Sequence, residues 1–160
     1  MDNIFLLKKF SLNYLSKYDS SKSNLERVLR NKIRRMNLKK REKFILYNLI
    51  TSIINELESK KIINDKAYAD SKIHNLSLQG KSKFFVKSYL IQKGIEKDLI
   101  NETLDNYELK NPNWETKSAK IFAKKKRLGT NNPNFLDKDL AKMARAGFDY
   151  NTSKKILGYE

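Results

Sequence analysis

Residues 80–95 read Gly-Lys-Ser-Lys-Phe-Phe-Val-Lys-Ser-Tyr-Leu-Ile-Gln-Lys-Gly-Ile, and this stretch decides the fold class. Gly80 breaks whatever precedes it. Ser82 can accept a backbone N–H as a helix N-cap. Phe85, Val86, Tyr89 and Leu90 then recur at helical spacing along one side. Lys93-Gly94-Ile95 closes the helix: glycine takes the left-handed position after the last turn, and the next apolar residue folds back onto it. A complete helix is therefore written between two glycines.

Working outward, neither glycine nor proline occurs before Gly80. A β architecture of that length needs turn residues, and strict polar/apolar alternation is also missing, so the whole chain is all-α. Phe10 to Leu15 suits a short helix. Ser21 can cap a helix with Leu25, Val28, Leu29, Ile33 and Met36 on one face, and Ser23 with Glu26 offers a second capping pair. Past the basic stretch Lys39-Lys40-Arg41, Phe44 to Leu57 reads as a long, mostly buried helix. Asp65 can cap a helix carrying Tyr68, Ala69, Ile73 and Leu76. After Gly94, a short helix carries Leu99, Ile100, Leu104 and Tyr107. Beyond Pro112, Asn113 can cap a helix with Trp114, Ile121, Phe122 and Leu128. Residues 129–133 form a turn-rich loop. Leu136, Leu140, Met143 and Ala144 mark a helix ended by Ala146-Gly147-Phe148, and Asp149 can cap the last one, with Ile156 and Leu157.

Gly94-Ile95 and Gly147-Phe148 lie 53 residues apart, and Ile95 and Phe148 each precede a leucine, Leu104 and Leu157, by nine positions. This is a repeat. About nine helices fall into tandem three-helix units at residues 1–63, 64–110 and 111–160, the first lacking a matching glycine. Units of roughly 50 residues bury little surface alone and should stack.

The composition narrows function. The chain has 160 residues, 34 Lys+Arg against 18 Asp+Glu, and a formal net charge of +16. Such self-repulsion points to an acidic partner and favours a monomer. There is no cysteine and one histidine, which excludes disulfides, a thiol nucleophile and an ordinary zinc site. The longest uncharged apolar stretch, Phe44 to Asn55, is too short for a membrane span, and Ile4 to Leu7 is too short for a signal-peptide core. A cytoplasmic protein without membrane contact is expected. Gly80-Lys81-Ser82 imitates the end of a phosphate-binding loop but lacks its first glycine and a preceding strand. His74 reads as a surface or structural residue, and the carboxylates are interleaved with lysines. The chain is expected to be no enzyme and to carry no cofactor.

The cations are patterned. Arg27, Arg30 and Arg34 fall within about 60° of one another, opposite the apolar stripe of their helix. Lys117, Lys120, Lys124 and Arg127 form a second ridge, and Lys83 and Lys87 a smaller third. Each alone could be a solvated helix face; three together predict a basic surface that binds a partner. Aromatic interleaving for single-strand stacking is weak, because most Phe and Tyr lie on core faces. Phe84 and Ile91 stand off the stripe of their helix and are expected to pack against a neighbouring unit, with a partner contact as the alternative. A helix-turn-helix reader would show Asn, Gln, Arg or Ser on its open face, where this chain shows mainly Lys.

Four pieces in order resemble the bacterial RecX regulatory proteins, modulators of the recombinase RecA. They are Leu12-Asn13-Tyr14-Leu15 with Ser21 and Leu25; Ile62-Ile63-Asn64-Asp65 with Ala67-Tyr68-Ala69; Gly80-Lys81 leading to Tyr89-Leu90 and Lys93-Gly94-Ile95; and Ala144-Arg145-Ala146-Gly147-Phe148 with Ile156-Leu157. The second is similar to the family's Gly-Tyr-Leu-Asp-Asp-x-x-Phe-Ala stretch and the last to its closing Arg-Arg-Gly-Phe segment. Lys61 stands where that family usually has Gly, Ile62 where Tyr is common, Asn64 where the first Asp is common, and Ala146 where Arg is frequent. The resemblance implies an elongated, curved array of three-helix repeats that binds in the groove of the RecA–DNA filament. It implies negative regulation of filament extension, ATP hydrolysis, strand exchange and repressor cleavage, within recombinational repair and the SOS response. The competing expectation is a sequence-independent module binding single- or double-stranded DNA without RecA contact.

Overall fold

The structure, a computed structural model, describes residues 2–129 and 132–158. Among them are nine α-helices, one 3₁₀ turn and no strand. In chain order they are α1 (Asn3–Leu15), α2 (Lys22–Arg35), α3 (Lys40–Ser59), α4 (Asp65–Leu78), α5 (Lys83–Gln92), α6 (Lys97–Lys110), α7 (Trp114–Lys126), the 3₁₀ turn Pro133–Phe135, α8 (Leu136–Arg145) and α9 (Tyr150–Leu157). The fold is all-α and built of tandem three-helix repeats. Two compact units are defined by their contacts. One comprises Met1–Tyr68 with Lys93–Ile95, the other Ala69–Gln92 with Glu96–Glu160.

In the first unit the apolar stripe of α2 is fully interior: Leu25, Leu29 and Ile33 are each at 0% exposure. They meet Leu7 of α1 and Leu46, Ile50, Ile53, Ile54 and Leu57 of α3 in one core. Burying each such side chain contributes about 1.5–3 kcal/mol. α1 starts at Asn3, seven residues before the expected Phe10, because Asp2 caps it by accepting the Ile4 N–H at 2.9 Å. α3 is buried along one side only. Phe44 and Ile45 are 65% and 50% exposed, which corrects the expectation of a mostly buried helix. An uncharged run is not a buried run when its polar members, Asn48, Thr51 and Ser52, share a face with apolar ones.

Ser21 caps α2 as expected, accepting the Asn24 N–H at 3.1 Å, while Glu26 is drawn into a pair with Arg30. The Ser21 hydroxyl also donates to the Lys93 carbonyl at 2.6 Å, immediately before Gly94. Asp65 does not cap its own helix. Asn64 does, accepting the Ala67 N–H at 3.1 Å, and the Asp65 carboxylate accepts the Lys22 N–H at 2.8 Å, capping α2 from 43 residues away.

The second unit repeats the device. Ser82 accepts the Phe85 N–H at 3.1 Å and donates to the Ala146 carbonyl at 2.6 Å, immediately before Gly147. Glu115 of α7 accepts the Lys83 N–H at 3.0 Å, as Asp65 accepts that of Lys22. Thus the N-termini of α2 and α5 each hold a glycine corner, at Gly94 and Gly147. Behind Gly147, Phe148, Met143, Leu157, Ala119 and Ala123 form a core. Asp149 caps α9 through the Thr152 N–H at 2.8 Å, and that N–H followed by the Thr152 hydroxyl holds its carboxyl below the usual aspartate range.

Three further expectations are corrected. α6 runs a full 14 residues, so it is not short. Asn113 precedes α7 but its side chain makes no cap hydrogen bond, because the residue sits at φ 60° in the left-handed region. Phe84 and Ile91 remain 69% and 50% exposed rather than covered, although Phe84 stands against Gly147. Of the loop expected at 129–133, Thr130 and Asn131 lie outside the described residues, and Pro133 opens the 3₁₀ turn.

Lys61 occupies the left-handed position after α3, at φ 57°. Its N–H bonds the Glu58 carbonyl at 2.8 Å and the Ile62 N–H bonds that of Leu57 at 2.9 Å, the double closure that glycine favours. A side chain there costs about 1 kcal/mol or more. Lys61→Gly is therefore expected to raise stability by about 0.5–1 kcal/mol, the gain being trimmed by a looser unfolded chain. Urea unfolding checks it; a lower midpoint contradicts it.

Candidate interaction surface

The three expected ridges all stand on helices whose opposite faces are locked. On α2, Arg27, Arg30 and Arg34 are exposed, away from the buried Leu25–Leu29–Ile33 stripe. They are not equivalent. Arg27 donates to Asn24 at 2.8 Å; Arg30 pairs with Glu26 at 2.8 Å and lies over the Tyr47 ring at 5.8 Å. Arg34 has no carboxylate partner among the described residues, and the Lys43 ammonium takes its carbonyl at 2.8 Å.

On α7, Lys117, Lys120 and Lys124 are exposed, while Trp114, Ser118, Ala119 and Ala123 are buried. Small residues let this face approach the end of α4 closely. The Ser118 hydroxyl reaches the carbonyls of Lys81 at 2.5 Å and Ser77 at 3.2 Å, and the Lys125 ammonium that of Gln79 at 3.0 Å. Arg127 is exposed but lies beyond the helix, left-handed at φ 55°, so it leaves the ridge its spacing implied. On α5, Lys83 and Lys87 are half-buried. Lys87 lines a cleft of about 190 Å³ with Ile91, Lys97, Ile100 and Asn101, so Lys97 joins it as a cation the sequence reading did not include.

A second cleft of about 290 Å³ lies among His74, Ser77, Tyr107, Trp114 and Lys117. Tyr107 shares a 2.7 Å hydrogen bond with Ser77 and sits 3.4 Å from His74 Nδ1, and its ring meets Trp114 edge-on at 5.7 Å. His74 is thus part of an aromatic–hydroxyl cluster, with no carboxylate in the set. Among the described residues no group of His, Cys, Asp or Glu could hold a metal ion, and no helix is long and apolar enough to cross a membrane.

In the first unit Glu56 lies between Lys60 at 2.7 Å and Lys8 at 2.6 Å. The hydrogen bond from Lys60, then that from Lys8, lowers its carboxyl from 4.5 to about 2. A lowered carboxyl stabilises fully above its unfolded value, and the contribution fades as pH falls from about 4.5 toward 2. Thermal melts of Glu56→Gln against the parent should therefore differ at pH 6 and converge by pH 2. An unchanged gap across that range contradicts it.

These features define a class: a helical-repeat protein that presents cationic faces from a locked scaffold. Comparison with known proteins gives the family. Residues 64–104 match the model described as RecX, second three-helix domain. The regulatory protein RecX of Myxococcus xanthus is 30% identical over 161 residues, covering 94% of this chain and 83% of that one. That of Streptococcus agalactiae is 31% identical over 113 residues, where the match spans 42% of the longer relative. The crystal structure of RecX from Lactobacillus salivarius superposes with a TM-score of 0.72 at 25% identity, covering 96% of this chain and 94% of that one. The chain belongs to the RecX family of regulatory proteins.

Proposed function

We propose that this chain restrains RecA by binding in the groove of the RecA–DNA filament, touching more than one protomer and slowing filament extension, ATP hydrolysis, strand exchange and repressor cleavage. The observation that carries the reading is the set of exposed cationic ridges on helices fixed from behind, Lys117–Lys120–Lys124 foremost, in a member of the RecX family. Several weak contacts made at once raise the effective affinity without a deep pocket. Bridging protomers stabilises one filament state and so opposes the cycling that hydrolysis and extension need. The repeats acting as contact modules are residues 1–63, 64–110 and 111–160, with Arg27, Arg30, Arg34, Lys83, Lys87 and Arg127 as further contacts. The chain works as a monomer.

The test is RecA ATPase inhibition at moderate salt. Lys120→Glu with Lys124→Glu should demand about tenfold or more protein for half-inhibition, because the reversal both removes steering and adds like-charge contact. Arg27→Glu with Arg34→Glu should act less, and Arg30 least, since Glu26 already neutralises it. Undiminished inhibition by the α7 variant removes that ridge from the interface. Equal affinity for filaments and naked DNA, with a steep salt slope on both, replaces the reading by a DNA-binding module without RecA contact.

A further inference from the structure

The cleft of about 290 Å³ in the second unit has a chemistry that the ridges do not use. Three helices line it, each through residues at helical spacing. His74, Ser77 and Leu78 share one face of α4, and Trp114, Lys117 and Ile121 recur at three and seven positions along α7. Tyr107 of α6 supplies the third side. The volume matches the small end of ligand pockets, which begin at about 300 Å³.

The sides differ in polarity. The Ser77 hydroxyl gives its proton to the His74 carbonyl at 2.8 Å, so Tyr107 is the donor in their 2.7 Å pair. A tyrosine whose proton is spent offers only lone pairs, and it turns an anion away. The α7 side is the opposite. Lys117 is exposed and has no ion-pair partner among the described residues. Three positions earlier, the Trp114 indole N–H is buried with no acceptor among them. No carboxylate lines the cleft, and its apolar lining is the Tyr107 ring, Ile121 and Leu78, the last 61% exposed.

From this arrangement we infer that the cleft is a binding site for a small aryl carboxylate. The carboxylate meets Lys117 on the α7 side, and the ring lies against Leu78, Ile121 and Tyr107. The single cation decides for one negative charge, because a phosphate dianion is held by several cations or N–H donors at once. The inference does not rest on the filament reading, since the ligand binds the chain by itself.

The experiment titrates the full chain with 3-phenylpropanoate. Trp114 is the sole tryptophan and lines the cleft, so its fluorescence reports occupancy there, with calorimetry as the second readout. A ligand of this size should bind with a Kd between about 1 mM and 10 μM. The neutral 3-phenylpropan-1-ol should bind about tenfold more weakly, the loss of one hydrogen bond to a charged group. Lys117→Met should cost the carboxylate about tenfold and leave the alcohol unchanged. Leu78→Ser should weaken both by about 2- to 5-fold through lost apolar contact. Both side chains are exposed, so these variants should melt with the parent. Lys120→Met, outside the lining, should change nothing; a loss there equal to that of Lys117→Met would make bulk charge the cause and overturn the site. No saturable change up to about 10 mM overturns it as well. Tighter binding of phenyl phosphate overturns the carboxylate assignment. The titration contains no RecA, so its failure leaves the ATPase reading standing, and the reverse.

Discussion

Gly94→Ala and Gly147→Ala are each expected to destabilise the protein by about 3 kcal/mol. Both residues are left-handed, at φ 73° and 92°, and a side chain there costs about 1–2 kcal/mol. The larger part comes from what the new methyl group would meet. At Gly94 it would overlap the side chain of Ser23. At Gly147 it would come within 2.5 Å of the Ser82 hydroxyl and 3.1 Å of Phe84 Cβ. Forcing a methyl into a closed contact of this kind costs about 1–3 kcal/mol more. Ser82 cannot swing aside freely, because its hydroxyl both caps α5 and holds the Ala146 carbonyl. Ser21 ties Lys93 in the same way, so displacement at either corner also loosens a cap. Urea unfolding followed by circular dichroism measures the loss. A cost near 1 kcal/mol, the left-handed penalty alone, would show that the serine corners are not closed contacts.

These corners show what the sequence could and could not declare. Gly94-Ile95 and Gly147-Phe148 were legible because a helix stop is local: glycine and the apolar residue behind it sit side by side. Ser21, Ser82 and Asp149 were legible as caps for the same reason. The second bond of each serine was not, since its acceptor lies 72 residues away for Ser21 and 64 for Ser82. Asp65 was misread because an acid at a helix start satisfies the local rule, while the N–H it accepts belongs to Lys22. The ridges were legible as charge at helical spacing. Their inequality was not: the Arg30 pairing with Glu26 follows the i, i+4 rule, but its approach to Tyr47 depends on how α2 meets α3. Phe44 was misplaced because residue type, without the packing of neighbouring helices, does not say which side of an uncharged helix is covered.

The last large effect expected is at Trp114, and it has a sign test. Trp114 is 3% exposed and opens α7 against Tyr107, so it sets where the Lys117–Lys120–Lys124 ridge begins. Trp114→Ala removes that support and should cost about 3–5 kcal/mol. Yet its indole Nε1–H is buried with no acceptor among the described residues. A buried donor without a partner carries a desolvation penalty of about 1–3 kcal/mol, and phenylalanine would shed it. Trp114→Phe loses ring volume but gains that relief, so the two oppose each other and the net change should stay within about 1 kcal/mol of zero. The pair of variants therefore separates ring support from donor burial in one unfolding series. A phenylalanine variant as unstable as the alanine one would mean that the indole N–H is a bonded, stabilising group. A near-neutral variant that equals the parent in the RecA ATPase test of the proposed function would show that the ridge needs only an aromatic wedge behind it.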